Sequence, residues 1–242
     1  MSMVVEARPS DASCVTEIWR ARSEHAGSFI SIASSHWEMV VTRRPNGTAV
    51  LTVRGPETTA TPLSYPEGVE WLGIRFKLGS FVPLLPVSAL IDHAVNLPCA
   101  GDGSFWLHDG AWELPAYETA DSFVERLVRN GLLVREPVVE AALQGRPADV
   151  SARSVQRHFA RAVGLSHSTI RQIERARYAL ELLQHGASIL DTVHEAGYYD
   201  QPHLNRALKR WLGQTPTQIM GRPAVVSVQD ATPLRWPQSQ LG

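Results

Sequence analysis

Asp149-Val150-Ser151-Ala152-Arg153-Ser154-Val155-Gln156-Arg157-His158-Phe159 opens the stretch that decides this fold. Gly197-Tyr198-Tyr199-Asp200-Gln201-Pro202-His203-Leu204-Asn205-Arg206-Ala207-Leu208-Lys209-Arg210 lies near its end, the whole running to Ile219. In each segment a small polar residue, Ser151 or Asp200, stands where a helix N-cap belongs. Its side chain can accept a hydrogen bond from a first-turn N–H that has no partner inside the helix. Behind each cap apolar residues recur four apart, Val155 with Phe159 and Leu204 with Leu208, so one stripe of each helix can dock on a core. The opposite stripe carries Arg153, Gln156, Arg157 and Arg161 in the first helix. In the second it carries Gln201, Asn205, Arg206, Lys209 and Arg210.

A DNA major groove admits one α-helix. Its base edges offer arginine a bidentate acceptor pair on guanine, and Asn or Gln a donor–acceptor pair on adenine. Residues at the N-terminal end of such a helix, and one turn later, face the groove floor. That selects Arg153, Gln156 and Arg157, then Gln201, Asn205 and Arg206, as base readers. Arg161, Lys209 and Arg210 lie further along and are expected at phosphates, where they position without specifying. Held by a rigid helix between them, two such helices would enter successive major-groove segments about 34 Å apart.

Ser151–Phe159, the Gly164-Leu165-Ser166 turn, the arginine-rich helix around Arg171–Leu183, Gly197–Leu204 and the closing Gly213-Gln214-Thr215-Pro216 together resemble the AraC-type family of bacterial transcription regulators. The resemblance covers about 70 residues. It implies two helix-turn-helix units joined by a long helix, with the residues named above at base-reading positions and double-stranded promoter DNA as partner. RNA polymerase would be a further partner of an activator. This chain departs from the family pattern at Gly145–Val150, which holds Pro147 where a short turn is usual, and at Pro202, which removes one potential base contact.

The net charge of −1 conceals an asymmetry. Residues 1–120 hold 8 Lys/Arg against 13 Asp/Glu, whereas residues 121–222 hold 14 against 10. A basic half beside an acidic half is the footprint of a protein in which one domain meets phosphates. With 242 residues, 44% hydrophobic and 19% charged, the chain suits two ordinary folded domains. No apolar run approaches the roughly 18 residues of a membrane span, and no basic start leads into an apolar run. A cytoplasmic protein is expected, with Cys14 and Cys99 as buried thiols.

Residues 1–15 read as a loose start. Short β-favouring runs follow near 16–22, 28–33, 36–43 and 48–54, and Pro45-Asn46-Gly47 marks a hairpin because Asn-Gly accepts positive φ. Residues 69–77 alternate, with Leu72, Ile74 and Phe76 on one side and Trp71, Arg75 and Lys77 on the other. Phe81–Asn96 is proline-punctuated and suits one short helix; Phe105–Trp112 suits another strand. Short strands with frequent turns imply a β-rich barrel or sandwich over residues 1–118. Gly55-Pro56-Glu57 and Gly73-Ile74-Arg75-Phe76 resemble a cupin-like sensor domain of unknown function found in actinobacterial members of the family.

Residues 119–221 read as an all-α domain. Its expected helices are Ser122–Leu133, with Phe123, Leu127 and Val128 together, Glu136–Gln144, the two reading helices, the linking helix Thr169–His185 and Ser188–Ala196. Residues 222–242 form a tail, read as disordered or as a packing strap.

Enzyme chemistry finds no foothold in the pattern, and neither catalytic residues, metal ligands nor a cofactor are expected. No His-x-His with a following carboxylate appears in the strand region, and no Gly-rich phosphate loop or Gly-x-Ser-x-Gly turn is present. His36 and Glu38 share a strand face and are expected to point to solvent. Trp37, Trp71, Trp106 and Trp112 fall in the strand region, where aromatic walls suit a small-molecule pocket or a core equally. The effector-binding candidates are Trp37, Trp71, Trp106 and, as anion anchor, Arg75. The expectation is thus a one-component regulator whose N-terminal domain senses a small-molecule effector. The alternative is an N-terminal domain that only forms a homodimer or binds a protein partner.

Overall fold

A computed structural model describes residues 3–146 and 150–221; the expected tail 222–242 and Pro147 in the first turn lie outside the described residues. Strands β1 (Met3–Arg8), β2 (Val15–Ser23), β3 (Gly27–Ser31), β4 (Glu38–Arg43), β5 (Ala49–Arg54), β6 (Thr61–Tyr65) and β7 (Glu70–Phe76) come first. They are followed by β8 (Ser80–Phe81), a 3-10 turn Val87–Leu90, β9 (Ala94–Asn96), β10 (Cys99–Gly101), β11 (Ser104–Leu107) and β12 (Gly110–Glu113). Helix α1 (Ala120–Arg129), strand β13 (Val134–Arg135) and helices α2 (Pro137–Leu143), α3 (Ala152–Ala162), α4 (His167–Gln184), α5 (Ile189–Glu195), α6 (Gln201–Leu212) and α7 (Pro216–Met220) complete the chain. The chain is therefore β-rich in its N-terminal half and helical in its C-terminal half.

Compact units cut across that change. One unit is built from 1–27, 36–56 and 65–166; the other from 28–35, 57–64 and 167–242. The expected division at 118/119 follows secondary structure, whereas the packing follows contacts that a linear reading does not contain.

In the first unit, six strands form an antiparallel sheet in the order β1-β2-β7-β4-β5-β9. Strand β1 corrects the loose start expected for residues 1–15: it pairs with β2 from Met3↔Ser23 to Arg8↔Ile18. It is an edge strand with a single neighbour, so its residues are half-exposed and its apolar signal is weak. The β4–β5 hairpin turns at Asn46-Gly47 as expected. Gly47 has φ +84°, and Asn46 Oδ1 accepts hydrogen bonds from the Thr48 amide at 3.1 Å and hydroxyl at 2.8 Å.

Register assigns the sheet two buried faces. On one, Ile18, Ile74, Met39 and Val53 stand side by side across β2, β7, β4 and β5, each no more than 1% exposed. On the other, the same four strands bring Glu17, Arg75, Glu38 and Arg54 into one row of alternating charge. Arg75 pairs with Glu17 and lies 3.8 Å from Glu38, and Arg54 reaches Glu38 at 3.6 Å. Trp19 Nε1 donates to Glu38 at 3.3 Å. Its indole lies over Gly73, where a Cβ would come within 1.9 Å of the ring.

These contacts correct the solvent-facing reading of His36 and Glu38, which are 8% and 6% exposed. Alternation along β4 predicts a shared face but not that the face is covered. Cys14 is buried as expected, and burial pushes its thiol pKa up; Cys99 is exposed, its thiol donating to the Gly101 carbonyl at 3.1 Å. The expected strand over 105–112 is a hairpin of β11 and β12. Helix α1 buries Phe123 against Phe105 and Trp112, each ring edge-on at 6.2 Å, but leaves Val128 48% exposed, outside the expected cluster. The start of α1 is tied to the β1–β2 connection: Asp121 accepts from Ser10 and pairs with Arg8 at 2.7 Å. Burial pushes the Asp121 carboxyl up, but the Ser10 and Arg8 hydrogen bonds and the Arg8 charge outweigh it and hold the pKa below the usual value.

The second unit joins α4–α7 to a two-stranded ribbon of β3 and β6. Ala33 donates its amide to the carbonyl of Trp211 at 2.8 Å, one of the last four carbonyls of α6, which have no partner within the helix. Arg177 donates to the Ala33 carbonyl at 3.3 Å, and Ser35 to Glu174 at 2.5 Å. Gly213 ends α6 in the left-handed region at φ +70°; a Cβ there would sit 3.0 Å from Ala60 and 3.5 Å from Ile30.

Candidate nucleic-acid interface

The first candidate reading helix, α3, starts where its sequence says it should. The Ser151 hydroxyl accepts from the Ser154 amide at 3.2 Å. Phe159 and Ala162 are buried, while Val155, expected beside Phe159 in the docked stripe, is half-buried. Gly164 ends the helix at φ +77° and packs on the 3-10 turn, where a Cβ would meet the Ser88 backbone at 3.1 Å. His158 Nδ1 lies 2.9 Å from the Glu136 carboxylate, just ahead of α2. With one side so fixed, Arg153, Gln156, Arg157 and Arg161 are all exposed on the other. Arg153 and Gln156 make no hydrogen bond or ion pair with the described residues, whereas Arg157 leans back on Ser154 Oγ at 3.1 Å. Arg161 stacks over Phe81 at 5.4 Å, which steadies a side chain expected at a phosphate.

In the second unit, α5 is capped by Ser188, which accepts from the Asp191 amide at 3.1 Å, and α6 by Asp200, which accepts from His203 at 2.7 Å. Pro202 occupies the second helical position, where its missing N–H costs no internal hydrogen bond. Leu204 and Leu208 are completely buried, each contributing about 1.5–3 kcal/mol from removal of its side chain from water. Gln201, Arg206, Lys209 and Arg210 are exposed, and Gln201 and Arg206 make no hydrogen bond or ion pair with the described residues. Lys209 donates to the Gly213 carbonyl at 3.2 Å and Arg210 stacks on Trp211 at 4.4 Å, two cations in the last turn where the helix dipole favours them. Asn205 departs from its expected role: it is half-buried, its Oδ1 turned out of water without a hydrogen-bond partner among the described residues.

The sequence reading gave Tyr198 no role of its own. It is buried in the turn between α5 and α6, edge-on to His203 at 5.1 Å, with Arg175 of α4 stacked on it at 4.5 Å. Arg175 also donates to the Gly197 carbonyl at 3.4 Å, so one guanidinium pins the turn to the long helix. Burial pushes the Tyr198 phenol up, against the opposing charge of Arg175. The aromatic doublet Tyr198-Tyr199 was the available signal; Tyr199, in contrast, is 90% exposed. Along α4, His167, Ser168, Arg171, Gln172 and Arg175 line a polar recess of about 280 Å³, where burial and then the Arg171 charge lower the His167 pKa.

The four effector candidates are not gathered into one site. Trp37 is core, stacked on Phe76 at 4.0 Å with its Nε1 donating to Ser80 at 2.5 Å. Arg75 is buried between Glu17 and Glu38, and Trp106 is exposed on the β11–β12 hairpin. Trp71 is among the residues around a cavity in the first unit. Among the described residues, no group of three or more His, Cys, Asp or Glu is placed to hold a metal ion, and no helix is long and apolar enough to cross a membrane.

Each of the two compact units thus carries a capped helix preceded along the chain by a shorter one, α2 with α3 and α5 with α6, the order of elements in a helix-turn-helix. Comparison with known proteins agrees: residues 146–222 match the family model described as a helix-turn-helix domain. The match takes in α3 to α7 and stops short of the β-rich half of the chain. The chain is 35% identical over 104 residues to the HTH-type transcriptional regulator RipA of Corynebacterium glutamicum. It is also 35% identical over 106 residues to the HTH-type transcriptional regulator VirS of Mycobacterium tuberculosis. Each match covers 43% of this chain and 30% of the relative, so the chain is matched to less than a third of either relative's length. Among solved structures, ToxT from Vibrio cholerae aligns over 91% of this chain and 98% of its own, at 9% identity and a TM-score of 0.35.

Proposed function

We propose that the chain is a sequence-specific DNA-binding transcription regulator. In this reading α3 and α6 enter successive major-groove segments of promoter DNA, while the β-rich region senses a small-molecule effector. The observation that carries it is the pair of capped helices presenting Arg153, Gln156 and Arg157, and Gln201 and Arg206, outward from fixed apolar backs. These are the side chains that pair with guanine and adenine edges. Arg161, Lys209 and Arg210 are assigned to phosphates. Asn205 must rotate its amide outward to read a base. An effector that favours one arrangement of the protein would change how the helices meet DNA, in proportion to its differential affinity. Such a regulator works in the cytoplasm, and homodimer formation and contact with RNA polymerase belong to the same reading.

Fluorescence anisotropy tests the proposal, using DNA from the neighbourhood of the protein's own gene at two salt concentrations. Binding should weaken with salt as counterions are retained on the DNA. Arg157→Ala and Arg206→Ala should each lose roughly 1–3 kcal/mol at the preferred site. Wild-type affinity in both variants would remove these residues from the reading surface.

A further inference from the structure

A cavity of about 460 Å³ opens on the first unit's sheet, in the size range of small-molecule sites. Its floor and walls are Leu72 and Ala21, both buried, Trp71, and the strap Pro115–Tyr117 that leads into α1. Its polar lining is three arginines, Arg20, Arg22 and Arg43, against two glutamates, Glu6 and Glu70.

The arginines are not equivalent. Arg20 is engaged, 2.6 Å from Glu6 and stacked on Tyr117 at 4.4 Å, so it builds the wall. Arg22 and Arg43 flank Glu70 in one cross-strand row of β2, β7 and β4. Arg22 reaches Glu70 at only 3.7 Å and is largely exposed. Arg43 donates to the Pro115 carbonyl at 3.4 Å and has no carboxylate within ion-pair distance among the described residues. Glu118 also lies 3.4 Å from Arg20, so Arg20 is held by two carboxylates and Arg43 is the lining arginine held by a neutral carbonyl, at the mouth of an apolar space walled by Leu72 and Tyr117.

From this we infer that the cavity binds a small amphipathic monocarboxylate, its apolar body against Leu72 and Tyr117 and its carboxylate on Arg43, with Arg22 beside it. Arg43 has no carboxylate of its own among the described residues, and guanidinium–carboxylate pairing is the strong, directional contact available to it. The inference deepens the sensor reading above and rests on it for regulatory meaning, while ligand binding itself needs no DNA.

Calorimetric titration and thermal melting of the full chain with 3-phenylpropionate and octanoate test it, with 3-phenylpropan-1-ol and 3-phenylpropylamine as neutral and cationic controls. Both carboxylates should bind and raise the melting temperature, and the controls should not. Arg43→Met, at an exposed position, should weaken carboxylate binding by about tenfold or more. Ala116→Trp, at an exposed lining position, should block binding by filling the cavity. Equal binding of the alcohol or a preference for the amine overturns the ligand class, and carboxylate binding unaffected in both variants overturns the location. No binding of either carboxylate at millimolar concentration overturns the site. Anisotropy on promoter DNA without ligand is a separate readout: its failure would sink the regulator reading and leave the binding result standing.

Discussion

Replacing Arg75 by Met probes the charge row at the centre of the sheet. Glu17 is 0% exposed and Glu38 6%, so neither carboxylate has water to fall back on when the guanidinium between them is removed. Glu38 keeps Arg54 at 3.6 Å and the Trp19 indole at 3.3 Å, while Glu17 loses its Arg75 partner. Breaking a buried ion pair from one side costs about 3–5 kcal/mol, mostly for the charge left behind. In a chain of this size that corresponds to a fall of roughly 6–20 °C in melting temperature. The double variant Glu17→Met/Arg75→Met removes the carboxylate too and should recover at least half of the loss. Melting curves followed by near-ultraviolet circular dichroism, on the wild type, both single variants and the double, close the cycle. A single-variant loss under about 1 kcal/mol, or a double variant as unstable as the sum of the singles, would refute the reasoning.

Three further outcomes follow from local geometry. Gly73→Ala drives a methyl into the Trp19 indole and should cost about 1–3 kcal/mol, read by chemical denaturation; an unchanged midpoint would mean that Trp19 moves aside freely. Asp200→Ala removes the cap on the His203 amide and should cost about 1 kcal/mol, with DNA affinity falling alongside; a stability equal to wild type would contradict the cap. Asp121, whose folded-state pKa is lowered, stabilises the fold above the ordinary aspartate pKa of about 3.9, and that contribution is lost as pH falls through the folded value. Wild type and Asp121→Asn should therefore differ in melting temperature at neutral pH and converge in acid; a gap constant with pH would exclude the linkage.

Features set by a few neighbouring residues were legible in the sequence. The caps at Ser151, Ser188 and Asp200, the Asn46-Gly47 turn and the buried stripe of α4 (Ile170, Ile173, Leu180 and Leu183) all depend on spacing within one or two turns of chain. Alternation along β7 correctly separated Leu72, Ile74 and Phe76 from Trp71 and Arg75. It could not tell that Arg75 would meet Glu17 and Glu38, because that depends on which strands flank β7. The same blindness to cover turned His36 and Glu38 outward and assembled four candidates into an effector site that the fold keeps apart. Trp71 lies beside a cavity, and the arginines around it (Arg20, Arg22 and Arg43) come from strands that only register aligns.

The amide of Ala33, spent on the Trp211 carbonyl, bears on how this protein can be dissected. Residues 146–222 match the helix-turn-helix family model, yet they omit the 28–35 and 57–64 segments on which the end of α6 is finished. A fragment begun at residue 119 would bear the right motifs with an unsealed helix end and an uncovered Gly213. Weak DNA binding by such a fragment would report a missing piece of its own architecture. Truncation experiments on this chain should carry the ribbon with the helices, even though more than a hundred residues separate them in the order of synthesis.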